Sequence, residues 1–231
     1  MTPSPHGTAW SGAARAALLD ALALLLPVAC AACAAPDRGL CAGCRAAIVP
    51  RPVRVDRAGA GIATWAALEY AGTPARVIRA FKEEGRTDVA RVLGGALRGA
   101  IGAAAVAFAD GVPREIAVVP STARARRARG YDPVRMLVSR AGFAPSDVLW
   151  AGDRVDQAAL GREARRANSD GSFAAPRSLV GRRFLLVDDI VTTGSTLADA
   201  VRAIRAAGGS VDAISVLAQT RLRIARGDAD A

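Results

Sequence analysis

The sequence predicts an α/β fold in which a parallel sheet is flanked by helices, with a small cysteine-rich module at the amino-terminal end. Beyond residue 60, short apolar runs that end at polar turns alternate with longer amphipathic stretches, which is typical of strands and helices in a parallel sheet. All four cysteines lie within fifteen residues near the amino terminus. The 231 residues, of which 52% are hydrophobic, suffice for one such domain and a small appendage.

The chain divides into four predicted segments. We expect residues 1–15, which are polar and contain the only histidine, His6, to be a disordered leader. Residues 16–50 should form a helix followed by the cysteine module, and residues 61–220 the α/β domain. The Pro- and Arg-rich stretch IVPRPVRVDRAGAG between them is typical of a linker, with a domain boundary near residue 60. Residues 221–231 form a polar tail.

The apolar stretch 16–29 predicts a short helix that ends at Pro27. It is too short to span a bilayer, so we expect no membrane span. Asp20 inside the run and Pro27 near its end argue against an export signal, although Val28, Ala29 and Cys30 faintly resemble a lipoprotein cleavage box. We therefore expect a cytoplasmic protein, with export as the alternative.

Within the α/β domain, apolar runs and amphipathic stretches predict the following elements in order. The predicted strands are residues 63–70, 116–119, 147–150, 184–187 and 211–217. The predicted helices are residues 73–81, 88–108, 131–141, 157–167 and 197–207, the last stopped by a glycine pair.

The cysteines form two C-x2-C pairs, Cys30 with Cys33 and Cys41 with Cys44. Each pair can form a knuckle whose thiolates face one ion, and four thiolates in a tetrahedron suit structural Zn²⁺. Two disulfides in a secreted protein, or incidental thiols, are the alternatives. A closed shell of four thiolates leaves no position for catalysis, so the zinc would serve to fold the segment.

The stretch FLLVDDIVTTGST, residues 184–196, predicts a phosphate and ribose site. Its apolar run reads as a buried parallel strand, which puts Asp188 and Asp189 at the carboxyl end, where open α/β sheets bind ligands. Backbone N–H groups of the next turn can converge on a phosphate, because Gly194 permits close approach and the following helix adds its dipole. The hydroxyl donors of this turn are Thr192, Thr193, Ser195 and Thr196. The alternative is a buried strand that merely ends in an Asp-rich turn.

A cluster of arginines follows the predicted strand 116–119. Pro120 and Ser121 open what we interpret as a loop, which carries Arg124, Arg126, Arg127 and Arg129. The planar guanidinium fork binds phosphate oxygens bidentately and stays charged, so the loop is a candidate pyrophosphate clamp. A solvated basic face is the alternative in a chain of net charge +10.

These motifs resemble those of a known family. Residues 184–196 are similar at every position to the phosphoribosyl pyrophosphate (PRPP) motif of the type I phosphoribosyltransferases. Together with the cysteine pairs, the stretches YAGTPARVIRAFKEEG, RGYD and QAALGREARRANSDGSF resemble the ComF family, which joins an amino-terminal zinc module to a phosphoribosyltransferase-like domain.

The resemblance implies that Asp188 and Asp189 hold the two ribose hydroxyls while residues 192–196 cradle the 5′-phosphate. It implies a role in catalysis for Lys82, the only lysine of the chain, and for Arg127. It further implies that Mg²⁺ enters with PRPP and that phosphoribose passes to an unidentified acceptor with release of pyrophosphate.

The chain departs from the resembled pattern in two places. Tyr131, Asp132 and Pro133 replace Phe-Asn-Gln, and Ser121 with Thr122 replaces Pro-Leu. Two other functions therefore stay open. One is the handling of single-stranded DNA with competence-machinery proteins, for which 4% aromatic residues offer few stacking partners. The other is a PRPP-sensing regulator without turnover.

Overall fold

The computed structural model describes residues 28–36, 38–56, 61–106, 108, 110–151 and 172–220. The predicted leader 1–15, the predicted helices 16–27 and 157–167 and the tail 221–231 lie outside the described residues.

The core is a six-stranded sheet with the order β1-β2-β8-β7-β3-β4. All neighbouring strands run parallel except β1, which is antiparallel to β2. A separate two-stranded antiparallel sheet joins β5 and β6. The bounds are β1 Val53–Val55, β2 Thr64–Glu69, β3 Glu115–Val118, β4 Pro145–Ser146, β5 Trp150–Ala151, β6 Phe173–Ala174, β7 Arg183–Val191 and β8 Ser210–Gln219. The predicted fold class, a parallel α/β sheet flanked by helices, is confirmed.

Six α-helices and one short 3₁₀-helix connect these strands within the described residues. The helices are α1 Ala42–Ala46, α2 Gly72–Glu83, α3 Ala90–Val106, α4 Ala123–Arg129, α5 Pro133–Arg140 and α6 Ser195–Ala206, and the 3₁₀-helix is Thr87–Val89.

Helices cover both faces of the sheet because the side chains of a strand alternate between them. On one face, Leu185 of β7 and Leu217 of β8 pack in an apolar cluster with residues of α2, α3 and α5. On the other face, Phe184 and Leu186 pack in a second cluster with residues of α6. Both faces of β7 are therefore buried among apolar side chains from Phe184 to Val187, directly before the two aspartates.

The cysteine segment packs on the α2 side. Cys30, Leu40, Cys44 and Ile48 belong to the same apolar cluster as Phe81 of α2. The division into residues 16–50 and 61–220 stays a prediction, but the apolar core is shared across it.

Three sequence predictions need correction. The linker contains a strand, β1, because Val53–Val55 pairs with Thr64–Ala66 and extends the sheet. Residues 123–129, interpreted as a loop, form helix α4, which Thr122 caps by accepting a hydrogen bond from the Ala125 N–H. The predicted strand 147–150 is replaced by two short strands, β4 and β5, on either side of residues 147–149.

One stretch of the described chain, Thr87–Val106, is long and apolar enough by length and composition to cross a membrane. Half of its most apolar window is buried inside the domain. Leu93 and Leu97 on it lie in the core cluster of the α2 face, which is how a core helix of a parallel sheet packs.

Candidate functional site

The two adjacent aspartates lie near the carboxyl end of β7. This strand runs to Val191 and is therefore longer than the predicted strand 184–187. Pairing with β8 continues through this stretch, with Asp188 opposite Val216 and Ile190 opposite Ala218. Because neighbouring strand residues point to opposite faces, the two carboxylates enter different surroundings.

Asp189 points to the side of α2. Lys82, in the last turn of α2, places its Nζ 2.7 Å from Oδ2 of Asp189. The side chains are 28% and 14% exposed, so this ion pair is largely shielded from water. The lysine and the aspartate that the sequence singled out separately are thus in direct contact.

Asp188 is buried, with 7% of its surface exposed. Its Oδ1 accepts a 2.7 Å hydrogen bond from the backbone N–H of Asp189. Burial raises the pKa of Asp188 well above its usual value, and the neighbouring charge of Asp189 raises it further. Lys82 opposes this shift in the pKa of Asp188, whereas Asp132 adds to it, so the junction before α5 lies within electrostatic range of the site.

The turn after β7 has the form expected of a phosphate cradle. Gly194 has φ +85°, a left-handed conformation that glycine adopts without strain, and it stands at the N-cap of α6. Gly194 has no side chain to cap this helix. The Ser195 N–H makes a long 3.4 Å hydrogen bond to Oγ1 of Thr193, which an anion at the first turn could replace. The hydroxyls of Thr193 and Ser195 lie 3.1 Å apart. Thr192, Thr193, Ser195 and Thr196 are all exposed.

The arginines after β3 lie on α4. Arg124, Arg126 and Arg127 are exposed and make no ion pair with any described residue. Arg129 is half-buried, and its Nη1 donates to Oγ of Ser121 at 3.4 Å. Pro120 and Ser121 form the connection between β3 and α4. Because β3 is the parallel neighbour of β7, this connection and the aspartates open at the same edge of the sheet.

The residues that depart from the resembled pattern have clear local roles. Asp132 caps α5 by accepting from the Arg135 N–H at 3.1 Å, and its second oxygen accepts from the Ser121 N–H at 3.0 Å. Pro133 occupies the first turn of α5, where its missing N–H costs nothing. The Tyr131 hydroxyl donates to the Phe81 carbonyl, so this junction is also tied to α2.

A cavity of about 600 Å³ opens at the same edge of the sheet, on the side away from β3. Glu69 and Gln219 lie opposite each other at the carboxyl ends of β2 and β8, and Gln219 lies opposite Val191 of β7. Arg51 adds a guanidinium group, and the remaining wall is mostly apolar: Ala46, Ala47, Val49, Val53, Ala67, Leu68, Ala71 and Pro74. The size is typical of a small-molecule site.

The four cysteines converge as the C-x2-C spacing predicts. Their Sγ atoms all lie within 4.8 Å of one another. Cys33 and Cys41 have their Sγ atoms 3.7 Å apart, close to the roughly 3.8 Å edge of a tetrahedron with zinc–sulfur bonds of about 2.3 Å. None of the four forms a disulfide. The donor set and its geometry therefore fit a zinc ion.

The four thiols differ in how readily they ionise. Burial works against ionisation of Cys30, but N–H groups, that of Cys41 first, lower its pKa to about 6. The pKa of Cys44 is raised to about 12 by its hydrogen bond with Cys41 and by burial. Four ionised thiols at this spacing need a cation between them. Ala34, directly after the first pair, has φ +58°, a strained backbone that the knuckle imposes.

A second group of charges lies at the opposite, amino-terminal edge of the sheet. Arg114, only 4% exposed, donates to Asp110 and to Asp212 on β8 at 2.5 and 2.7 Å. Arg183 pairs with the same two carboxylates, and the Arg114 and Arg183 hydrogen bonds hold the pKa of Asp110 below its usual value. The two carboxylates are balanced by two arginines, so we interpret this group as an ion-pair network that stabilises the fold.

Sequence reasoning missed the roles of Tyr131 and Asp132. An Asp-Pro pair directly before an apolar helix is a helix-start signal, and it could have identified Asp132 as a cap. No local pattern could have shown that Asp132 also reaches Ser121 and the surroundings of Asp188.

Comparisons with known proteins agree with this geometry. The family described as "Phosphoribosyl transferase domain" matches residues 102–226, more than half of the chain, including β3, α4, β7 and α6. An orotate phosphoribosyltransferase of Xanthomonas axonopodis pv. citri is 36% identical over 58 residues, which are 25% of this chain and 26% of that protein. One of Nocardioides sp. is 50% identical over 36 residues, 16% of this chain and 20% of that protein. The alignments thus span about a quarter or less of these relatives. On the match to its domain, the chain belongs to the phosphoribosyl transferase family.

Proposed function

We propose that this chain is a PRPP-binding member of the ComF family that transfers phosphoribose to an acceptor and releases pyrophosphate. The observation that carries the proposal is the pair Asp188 and Asp189, directly followed by an open helix N-terminus at a glycine of positive φ. Carboxylates for ribose hydroxyls and N–H groups for a phosphate then stand side by side on one strand and its turn.

Each part of PRPP finds groups of matching chemistry. Asp188 and Asp189 accept hydrogen bonds from the ribose hydroxyls, and the turn Thr192–Thr196 binds the 5′-phosphate. Lys82 balances the charge of Asp189. Carboxylate oxygens such as these suit Mg²⁺, which would enter with PRPP and would supply positive charge against the pyrophosphate.

The exposed arginines of α4, above all Arg127, are proposed to bind the pyrophosphate. They are unpaired with described carboxylates and stand beside the site on the β3 side. Guanidinium groups that stabilise the departing pyrophosphate promote cleavage of its bond to C1 of the ribose. Arg124, Arg126 and Arg129 contribute to the same positive surface.

The cavity beside β2 and β8 is proposed to hold the acceptor. A nucleophile that displaces pyrophosphate approaches from the side opposite the leaving group, and the cavity lies across β7 from α4. Its apolar walls suit a flat heterocycle, which Glu69, Gln219 and Arg51 can hydrogen-bond at its edges. The family's purine-salvage motif has an aspartate where Thr192 stands, so we do not propose a hypoxanthine or guanine enzyme.

A second candidate function, the binding of single-stranded DNA, is favoured by one observation. Arg124, Arg126 and Arg127 form an exposed basic surface that suits a phosphate backbone as well as pyrophosphate. Competence-machinery proteins would then be partners.

A regulator that binds PRPP without turnover needs the same site. In either case we propose a cytoplasmic location, where PRPP is available.

Calorimetric titration with PRPP and Mg²⁺ tests the proposal. We expect binding to the wild-type protein and none to Asp188→Asn combined with Asp189→Asn, because each carboxylate loses charge-assisted hydrogen bonds worth about 1.5 to 3 kcal/mol. Asp56→Asn is the matched control, since this exposed carboxylate follows β1 at the amino-terminal edge of the sheet, where Val55 pairs with Thr64.

Pyrophosphate release across a panel of nucleobases then separates an enzyme from a regulator. For the base that supports turnover, Glu69→Gln should raise KM for the acceptor and leave PRPP affinity unchanged. Wild-type protein that does not bind PRPP, or a double variant that binds it as tightly as wild type, would show the proposed function to be wrong.

A further inference from the structure

The cysteine segment makes directed contacts with the helix that supplies Lys82. Arg86 reaches across from the end of α2, and its Nη1 donates to the Ala29 carbonyl at 2.9 Å. Its Nη2 donates to the Gly39 carbonyl at 3.0 Å. Ala29 precedes the first cysteine and Gly39 lies between the two pairs, so one guanidinium group holds both sides of the cysteine loop.

Arg86 is itself rigidly attached to the last turn of α2. Its backbone N–H donates to the carbonyl of Ala80 at 3.1 Å, and Gly85, with φ +70°, turns the chain so that this bond closes. Asp88 fixes the guanidinium group with two hydrogen bonds of 2.9 and 3.0 Å. Arg86 therefore connects the cysteine loop by hydrogen bonds to the helical turn that carries Lys82.

Two further contacts make the attachment specific. Arg76, nearer the start of α2, donates from Nε to the Ala32 carbonyl inside the first cysteine pair at 2.8 Å. A Cβ added to Gly39 would lie 2.2 Å from Oδ2 of Asp88, which shows how closely the cysteine loop approaches the residues that hold Arg86. The cysteine segment thus contacts α2 at Arg76 and, just beyond the end of the helix, Arg86.

We propose that the four-cysteine segment is a brace that sets the position of Lys82 against Asp189, with Arg86 as its principal positioning residue. On this account the four cysteines, which would leave a bound zinc ion no open position for chemistry, still contribute to the proposed ribose-phosphate site through α2. The consequence for PRPP affinity rests on the proposed function above, whereas the consequence for the Lys82–Asp189 ion pair does not.

The single lysine of the chain gives a direct readout. An amine held by a carboxylate in a largely buried ion pair is protected from acylation. The rate at which sulfo-N-hydroxysuccinimide acetate acylates Lys82, followed by peptide mass spectrometry, therefore reports on the Lys82–Asp189 ion pair. Groups coupled through one hydrogen-bond network affect each other by about 2- to 100-fold, and we expect Arg86→Ala to accelerate acylation about 5-fold. Asp189→Asn removes the partner and is the positive control.

Matched variants separate the brace from general destabilisation. Gly39→Ala should also accelerate acylation, whereas Gly43→Ala, in the same segment on α1 with open space around the new Cβ, should not. Arg91→Ala, an exposed arginine on α3, is the control for loss of a guanidinium group. All rates are compared well below the unfolding midpoint of each variant, with retained secondary structure checked by circular dichroism.

PRPP affinity supplies the second readout. Arg86→Ala should weaken PRPP binding about 5-fold in the wild-type background and not at all in Lys82→Ala, because it acts through that lysine. Unchanged acylation in Arg86→Ala and Gly39→Ala, or in Asp189→Asn, overturns the brace, as does an equal loss of affinity in both backgrounds. If the wild-type protein does not bind PRPP, the proposed function is wrong and the acylation rates alone decide the brace.

Discussion

Replacement of Asp188 by asparagine should stabilise the ligand-free protein at neutral pH while it weakens PRPP binding. Asp188 is buried, and no cation of the described residues forms an ion pair with it, since Lys82 contacts Asp189 instead. At neutral pH the protein must either keep a negative charge in this place or bind a proton to remove it, and both cost free energy. Asparagine has the same shape and no charge to bury.

The size of the effect follows from the burial. A buried polar group that lacks a full set of partners costs about 1 to 3 kcal/mol, and relief of that cost raises the free energy of unfolding by the same amount. For a domain of this length, 1 kcal/mol shifts the unfolding midpoint by about 2 to 4 °C, so we expect a rise of about 2 to 12 °C.

The stability difference between wild type and Asp188→Asn should depend on pH. Burial raises the pKa of Asp188 in the folded protein, so the folded state holds this proton to higher pH than the unfolded chain, whose aspartate pKa is about 3.9. The stability that Asp188 contributes is therefore present below about pH 4 and is lost as pH rises through the folded-state pKa. The gain in the free energy of unfolding from Asp188→Asn should therefore be absent in acid and should increase progressively toward pH 8.

Thermal unfolding of both proteins across pH 3.5 to 8 measures this difference, because all other titrating groups are common to the pair. Asp199→Asn provides a contrast, since Asp199 accepts hydrogen bonds from the Ser172 and Phe173 N–H groups and pairs with Arg202, and its loss should destabilise. The reasoning is refuted if Asp188→Asn lowers the unfolding midpoint at pH 8, or if its effect is the same at every pH.

Three further predictions concern the rest of the molecule. Arg127→Glu should weaken PRPP binding at least about tenfold and leave ribose 5-phosphate binding nearly unchanged, with Arg140→Glu on the exposed side of α5 as the control. If α4 binds DNA instead, titration of Arg127→Glu should show a lower affinity for single-stranded DNA, and the slope of log affinity against log salt concentration should fall by about one. Elemental analysis and thiol titration should find one zinc per chain and no disulfides, and removal of that zinc by a chelator should accelerate acylation of Lys82; absence of zinc with oxidised thiols would contradict both. Arg114→Ala should lower the urea midpoint at unchanged slope, because Asp110 and Asp212 lose a cation, whereas Arg54→Ala, whose pair with Asp56 is exposed, should not.

The sequence predicted the parts of the molecule that depend on neighbouring residues. The run from Phe184 to Thr196 specifies a strand, a turn and a helix start by its own chemistry, and the structure has them in that order. The two C-x2-C pairs likewise bring four sulfur atoms together through short loops. In both cases the decisive residues are close in the chain, so spacing alone carries the geometry.

The predictions that failed depend on distant partners or on weak local signals. Residues 123–129 contain only arginine and alanine, which are good helix formers but give no apolar periodicity, so the helix was missed. Val53–Val55 stands beside Pro50 and Pro52, and prolines indicate a linker unless the strand lies at a sheet edge, as β1 does. The contact of Lys82 with Asp189 joins two segments that only the fold brings together.

The alternation of side chains along β7 gives the two aspartates of the proposed site different roles. Asp189 faces α2 and receives Lys82, so its charge is balanced before any ligand arrives. Asp188 faces a place where burial and the charges of Asp189 and Asp132 oppose ionisation. A cation or hydroxyl donors that enter with a ribose phosphate would relieve that penalty, and binding would recover free energy that the ligand-free fold gives up. On the proposed function, the cost in stability at Asp188 and the proposed support of α2 by the cysteine segment belong to one arrangement. Lys82 would prepare Asp189 in advance, and the ligand would complete the surroundings of Asp188.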